Sequence, residues 1–204
     1  RSVAGHQGGS HHRHGPQRAL TSGGLARVNS RFAIPAPEGG TRGISACIVE
    51  KDFPGFSVGR IEDKTGIKGS QTAELIFTDC EVPAENLLGR EGEGFKTAMM
   101  TLDRTRVGIG AQAVGIAQGA LDLAVAYARQ RIQFGKPIGE NQGIQFMLAD
   151  MATKVEASRL LVYNAAEMID NGEPHFSKYS AMAKMFASDS AMEVTNDAIQ
   201  VLGG

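Results

Sequence analysis

One change of hydrophobic period constrains the fold of this chain more than any other feature. From Leu20 to Val82 apolar residues alternate or run in short blocks bounded by Gly, Pro and Asp, the pattern of half-buried and buried strands. After Gly89-Arg90-Glu91-Gly92-Glu93-Gly94 they recur at intervals of three, four and seven, the period of helices with one apolar face. Strands followed by helices, without alternation, describe an α+β chain of two units.

The strand half breaks into Val28–Ile34, Ile44–Glu50, Phe56–Ile61 and Ala73–Val82, separated by the loop Pro35–Gly40 and the turn Phe53-Pro54-Gly55-Phe56. The helical half reads as three long helices. In the first, Phe95, Met99, Leu102, Ile109, Ala113, Ile116, Ala120, Ala124 and Tyr127 form the expected core stripe. The second runs from about Gln142 to Asp170 and stops at Asn171-Gly172-Glu173-Pro174, where Gly supplies a left-handed cap and Pro blocks continuation. The third runs from about Ser177 to Leu202. Long helices with short connections make an antiparallel bundle. Gly108, Gly110, Gly115 and Gly119 are expected to permit close helix approach.

Composition excludes several classes. There are 21 Lys and Arg against 22 Asp and Glu, a net charge of -1, which favours neither nucleic acid nor an anionic membrane as partner. No secretory apolar core is visible at the start. No apolar run approaches the roughly 20 residues that span a bilayer, so membrane insertion is not expected. Cys47 and Cys80 sit far apart in apolar runs and read as two buried thiols in a reducing compartment. Residues 1–18 carry His11, His12 and His14 with no apolar periodicity and without the ligand spacing of a closed metal site. They read as an unassigned, disordered or atypical leader, and no metal is expected.

Two segments suggest binding. Arg129-Gln130-Arg131-Ile132-Gln133-Phe134-Gly135-Lys136-Pro137-Ile138 interrupts two helices with cations and an aromatic. A guanidinium suits a pyrophosphate and an aromatic suits a flat ring. By itself the segment reads equally as a polar interhelix turn. Asp103 and Arg106, three apart inside the first helix, form an internal ion pair or face a ligand. No phosphate loop, nucleophile elbow or Cys/His pair appears. Gly92-Glu93-Gly94 reads as a hinge, and His175 as a surface residue.

Taken in order, Asp63–Ser70, Phe77–Pro83, Gly89–Phe95, Leu102–Arg106, Gln133-Phe134-Gly135, Gln142 and Gln200–Gly204 resemble the acyl-CoA dehydrogenase family, with short-chain (butyryl-CoA-like) or glutaryl-CoA-like members nearest. The resemblance implies part of a middle β-domain (sandwich- or barrel-like) over 19–91, and part of a C-terminal antiparallel helical bundle over 92–204. It implies FAD as cofactor. Arg131, Gln133, Phe134, Gln142, Gln200, Gly203 and Gly204 would meet the FAD of a neighbouring subunit, and Thr21 would approach the reactive flavin edge. It places Asp103, Arg104, Thr105 and Arg106 beside an acyl-CoA substrate.

The implied chemistry is α,β-desaturation, with electrons passed to an electron-transfer flavoprotein by a homotetramer, in bacterial cytoplasm or mitochondrial matrix. Thr105 stands where some members carry the catalytic Glu and cannot act as base. The Glu is expected beyond Gly204, so residues 1–204 alone are expected to be inactive. The alternatives are an inactive assembly or scaffold fragment, and an acyl-CoA oxidase relative.

Overall fold

The computed structural model describes the backbone of residues 3–7, 10–34 and 37–204, and side chains from Leu20 onward except at residues 35–37. Two compact units divide it between Met99 and Met100. The division therefore falls inside a helix and not at Gly92-Glu93-Gly94.

The first unit is antiparallel. Its strands are β1 (Val3–Gln7), β2 (Ser10–Thr21), β3 (Val28–Ala33), β4 (Ser45–Glu50), β5 (Phe56–Ile61), β6 (Thr72–Pro83) and β7 (Leu87–Leu88). One sheet has the order β1-β2-β6-β5 and the other β3-β4-β7. Cys47 and Val49 of β4 share a buried core with Leu75, Phe77, Cys80 and Val82 of β6, so the two sheets pack face to face as a sandwich. Phe56 meets Phe77 edge-on, with centroids 5.4 Å apart. Both cysteines are buried.

The segment expected to be an unassigned, disordered or atypical leader carries strand backbone at its described residues. Its backbone forms β1 and most of β2, and β2 pairs along β6 from Ser10↔Pro83 to Thr21↔Thr72. Such pairing satisfies main-chain donors and acceptors whatever the side chains, so a strand can form without an apolar period. The side chains of His11, His12 and His14 lie outside the described residues. Sequence reading also missed the interior of β3. Asn29 and Arg31 point inward and bond to each other at 2.7 Å, while Val28 and Phe32 face outward.

The second unit is a helical bundle built from α1 (Gly94–Gln130), α2 (Gln142–Asp170) and α3 (Phe176–Leu202). Gly172 is left-handed at the end of α2, and Glu173 N–H closes the turn on Met168 C=O. Gly110 lies against Val162 of α2 and Ala183 of α3. Gln118 meets Arg159, and Gly139, just before α2, meets Ala128. These contacts run in opposite directions along α1 and α2, and with the bond from Ser180 of α3 to Asp103 of α1 the contacts run in the same direction along α1 and α3.

The core of this unit holds Val107, Ala113, Val114, Ala117, Leu121, Ala124 and Ala128 from α1. Of the expected stripe only Ala113 and Ala124 are fully buried. Leu102, Ile109 and Ile116 are about half exposed. The helix has two apolar stripes, and the small-residue one faces inward because it lets the backbones approach. Of the four glycines expected at close contacts, only Gly110 has a neighbour within Cβ reach. By length and composition α1 is apolar enough to cross a bilayer. This differs from the expectation of no such run, and part of that apolarity is spent on the bundle core.

Candidate functional site

The cation–aromatic segment folds as a minimal hairpin. β8 (Ile132–Gln133) pairs with β9 (Lys136–Pro137), leaving Phe134 and Gly135 as a two-residue loop. Both have positive φ, 52° and 82°, as a type I′ turn requires. Gly accepts that conformation readily, whereas a bulky side chain does so at a cost. Phe134 nevertheless occupies it and is 97% exposed. The ring gains nothing from the core of the described residues.

The hairpin is anchored at both ends. Arg131 N–H donates to Tyr127 C=O, and Ile138 N–H to Arg131 C=O at 2.9 Å. The Gln145 side-chain amide donates to Gly139 C=O, tying the corner to the first turn of α2, where Gln142 stands exposed. Because α2 and α3 are antiparallel, the end of α3 returns to this end of the bundle. Gln200, Gly203 and Gly204 are exposed there, and Gly203 is left-handed at the helix C-cap. An apolar cleft of 490 Å³ between Ala120, Leu123, Ile199, Leu202, Gly203 and Gly204 opens beside them.

Arg131, Gln133, Gln142 and Gln200 have no side-chain hydrogen bond or ion pair among the described residues. A cation, three amides, an aromatic ring and exposed Gly backbone at one bundle end fit an extended, anionic, ring-bearing ligand such as a flavin dinucleotide.

Asp103, Arg104, Thr105 and Arg106 lie elsewhere. From Arg106 to Gln130 the helix rises roughly 36 Å at 1.5 Å per residue, so this turn is at the opposite end of α1 from the hairpin. Asp103 and Arg106 form a half-buried ion pair, as their spacing allows, while Arg104 and Thr105 are exposed. The Thr105 hydroxyl donates to Leu102 C=O at 3.4 Å. Thr21 belongs to the first unit, exposed at the end of β2 beside a left-handed Ser22. His175 is exposed at the start of α3.

Sequence reading missed two cross-helix contacts. Arg159 of α2 donates to Gln118 Oε1 of α1 at 2.6 Å, and Ser180 of α3 donates to the Asp103 carbonyl. Neither has a local sequence signal, because the partners are 41 and 77 residues apart.

An antiparallel β-sandwich leading into a long-helix bundle with a donor-rich open end defines an α+β protein of the sandwich-and-bundle type. Residues 92–204 match the acyl-CoA dehydrogenase C-terminal domain, and the chain belongs to the acyl-CoA dehydrogenase family. It is 58% identical, over 91% of its length, to acryloyl-CoA reductase (NADH) of Anaerotignum propionicum, covering 47% of that protein.

Butyryl-CoA dehydrogenase of Megasphaera elsdenii superposes on the whole chain with a TM-score of 0.97 at 49% identity, and 53% of that structure is covered. A chain solved in work on the electron transferring flavoprotein of Acidaminococcus fermentans and flavin-based electron bifurcation matches with a TM-score of 0.97 at 54% identity, again over all of this chain and 53% of that one. The chain thus spans about half the length of the relatives it matches.

Proposed function

We propose that this chain is the flavin-lending and thioester-facing part of an FAD-dependent oxidoreductase that desaturates an acyl-CoA between its α and β carbons. The observation that carries the reading is the separation of the two clusters along α1. Residues roughly 36 Å apart on one rigid helix cannot both line the reacting atoms of one flavin. The hairpin end therefore serves one cofactor and the Asp103–Arg106 turn serves the substrate at another, as in an oligomer of identical chains that exchange binding residues.

In this arrangement Arg131 binds the pyrophosphate, the amides of Gln133, Gln142 and Gln200 orient the dinucleotide, and Phe134 covers an apolar face. Gly203 and Gly204 let the backbone approach closely. Bound FAD supplies the hydride acceptor. Asp103 and Arg106 form a paired charge beside the thioester, with Thr105 and Arg104 on the same turn. Thr21 supplies a hydroxyl at the flavin edge. Thr105 cannot remove an α-proton, and that role falls to a Glu after Gly204.

Electrons pass to an electron-transfer flavoprotein, a reading supported by the Acidaminococcus match. A homotetramer is supported by the apolar residues left open on the bundle: Leu102, Ile109, Ile116 and Leu123 at intervals of seven on α1, and Met185, Met192 and Ile199 on α3. The bacterial cytoplasm or the mitochondrial matrix is the compartment proposed.

The test is a full-length polypeptide carrying this segment, assayed for flavin absorbance and for butyryl-CoA-dependent reduction of a dye. Bound FAD with turnover is expected. Persistent absence of flavin would leave the scaffold alternative standing. Residues 1–204 alone should show no turnover above that of free flavin. A second reading, reduction of a 2-enoyl-CoA, is favoured by the 58% identity to the Anaerotignum reductase. It differs in direction and not in binding residues, and NADH-driven consumption of acryloyl-CoA in the presence of an electron-transfer flavoprotein distinguishes it.

A further inference from the structure

α3 turns Ser180, Ala183, Ala187 and Ala191 into the bundle. The three alanines fill space. Ser180 is fully buried, and its hydroxyl donates across 77 positions of sequence to the main-chain carbonyl of Asp103. That carbonyl lies inside α1, where the helix already supplies a donor, the amide four residues on. A carbonyl oxygen has a second lone pair, and Ser180 occupies it. The extra bond is therefore not needed to satisfy α1. What it fixes is the height and rotation of one turn of α1 against α3.

That turn carries the Asp103–Arg106 pair. Two turns further on, Gly110 lies against both other helices: a Cβ there would clash with Val162 Cγ2 at 2.9 Å and would meet the Ala183 carbonyl in ordinary contact at 3.5 Å. α1 is thus seated at Asp103 and again at Gly110, and the stretch between bears Arg104, Thr105 and Arg106.

We propose that Ser180 is a positioning residue that holds the Asp103–Arg106 turn in register for the acyl-CoA thioester. The inference rests on reading that turn as the substrate-facing one. Ser180 would touch neither substrate nor cofactor. It acts through the α1 backbone, and misplacement of such a turn by a fraction of an ångström weakens binding without unfolding the bundle.

The test uses the full-length, FAD-loaded enzyme and the dissociation constant of butyryl-CoA read from the flavin spectrum. Ser180→Ala should weaken binding roughly three- to tenfold, the factor that loss of one neutral hydrogen bond produces, with FAD content unchanged. Ser180→Cys, of similar volume and weaker donor strength, should fall between. A purely structural role would not predict the decisive readout, which is coupling. In an Arg106→Gln background, Ser180→Ala should cause no further loss.

Three results overturn the proposal: wild-type affinity in Ser180→Ala, the same fold-loss in both backgrounds, or failure of both Ser180 variants to load FAD, which would make the hydroxyl structural. If Arg106→Gln alone leaves affinity untouched, the substrate-facing reading of the turn fails, a separate outcome from failure of the Ser180 contact.

Discussion

A Cβ placed on Gly110 of α1 would stand 2.9 Å from Cγ2 of Val162 on α2, with the main chain of Ala183 on α3 immediately behind. Three helices converge there on a residue without a side chain. Gly110→Ala is expected to destabilise the protein. Overpacking costs about 1–3 kcal/mol, more than the roughly 0.5–1 kcal/mol a helix gains when Gly becomes Ala. Gly119, with nothing in Cβ reach, is the control: Gly119→Ala should raise stability by about 0.5–1 kcal/mol. Chemical denaturation of both variants checks the pair, and a loss at Gly119 would show that another element lies on that face.

Phe134 and Gly135 should separate binding from folding. Phe134→Ala removes a ring that packs on nothing within the chain, so stability should change by less than about 0.5 kcal/mol. Flavin retention by the full-length protein should nevertheless fall by roughly tenfold, the scale of one lost aromatic contact with its buried area. Gly135→Ala, at φ 82°, should strain the turn by about 1 kcal/mol. Equilibrium dialysis of FAD alongside thermal unfolding reads both effects.

Arg131→Gln should weaken FAD binding by roughly ten- to a hundredfold, the worth of a charge-assisted hydrogen bond, and the loss should shrink as salt rises. Arg131→Lys should restore it only in part, because an ammonium lacks the planar fork. Equal affinity for all three proteins across a salt series would remove Arg131 from the site.

Lys154 of α2 donates to Glu193 of α3 at 2.7 Å. That bond, ahead of the opposing desolvation, raises the lysine pKa above its ordinary value. A raised lysine pKa stabilises the folded state below the unfolded-state pKa, and the gain disappears as pH climbs through the folded one. The pair should therefore be insensitive to pH near neutrality and lost only in the alkaline range above the ordinary lysine pKa. Glu193 is largely solvated and Lys154 about one third exposed, so solvent screens the pair and Lys154→Met should cost under about 1 kcal/mol. Melting curves should show a constant gap between the variant and the parent from pH 7 to about 10, narrowing only as pH rises above the ordinary lysine pKa.

Much of the fold was legible because local rules act over short spans. The end of α2 follows from Gly172 and Pro174, and the strands β3 to β6 follow from alternation bounded by turn residues. Gln142 at the first position of α2 and the corner around Phe134 were also readable, since both sit at helix boundaries marked by Pro and Gly. The stripe of α1 was misread because two apolar stripes exist on one helix. Ile109 and Ile116 are the more hydrophobic residues, yet Ala113, Ala117 and Ala124 face inward. Period tells which residues share a face, not which face meets the rest of the chain.

β2 was missed for the opposite reason: its partner β6 supplies the order, and no alternation within residues 10–21 announces it. Likewise the Asp103–Arg106 pair was readable from a spacing of three, whereas the Ser180 bond to Asp103 and the Arg159 bond to Gln118 were not. The sequence by itself determined the strand-then-helix order, the helix ends and the residue types at the hairpin and in the α1 turn, all local consequences of backbone preference and hydrophobic period. The tertiary structure alone decided which stripe of α1 is buried, that the hairpin and the Gln200–Gly204 segment share one end of the bundle, and that Asp103–Arg106 stands at the other. Those depend on the direction in which long helices return on one another, a property of packing between residues far apart in the chain.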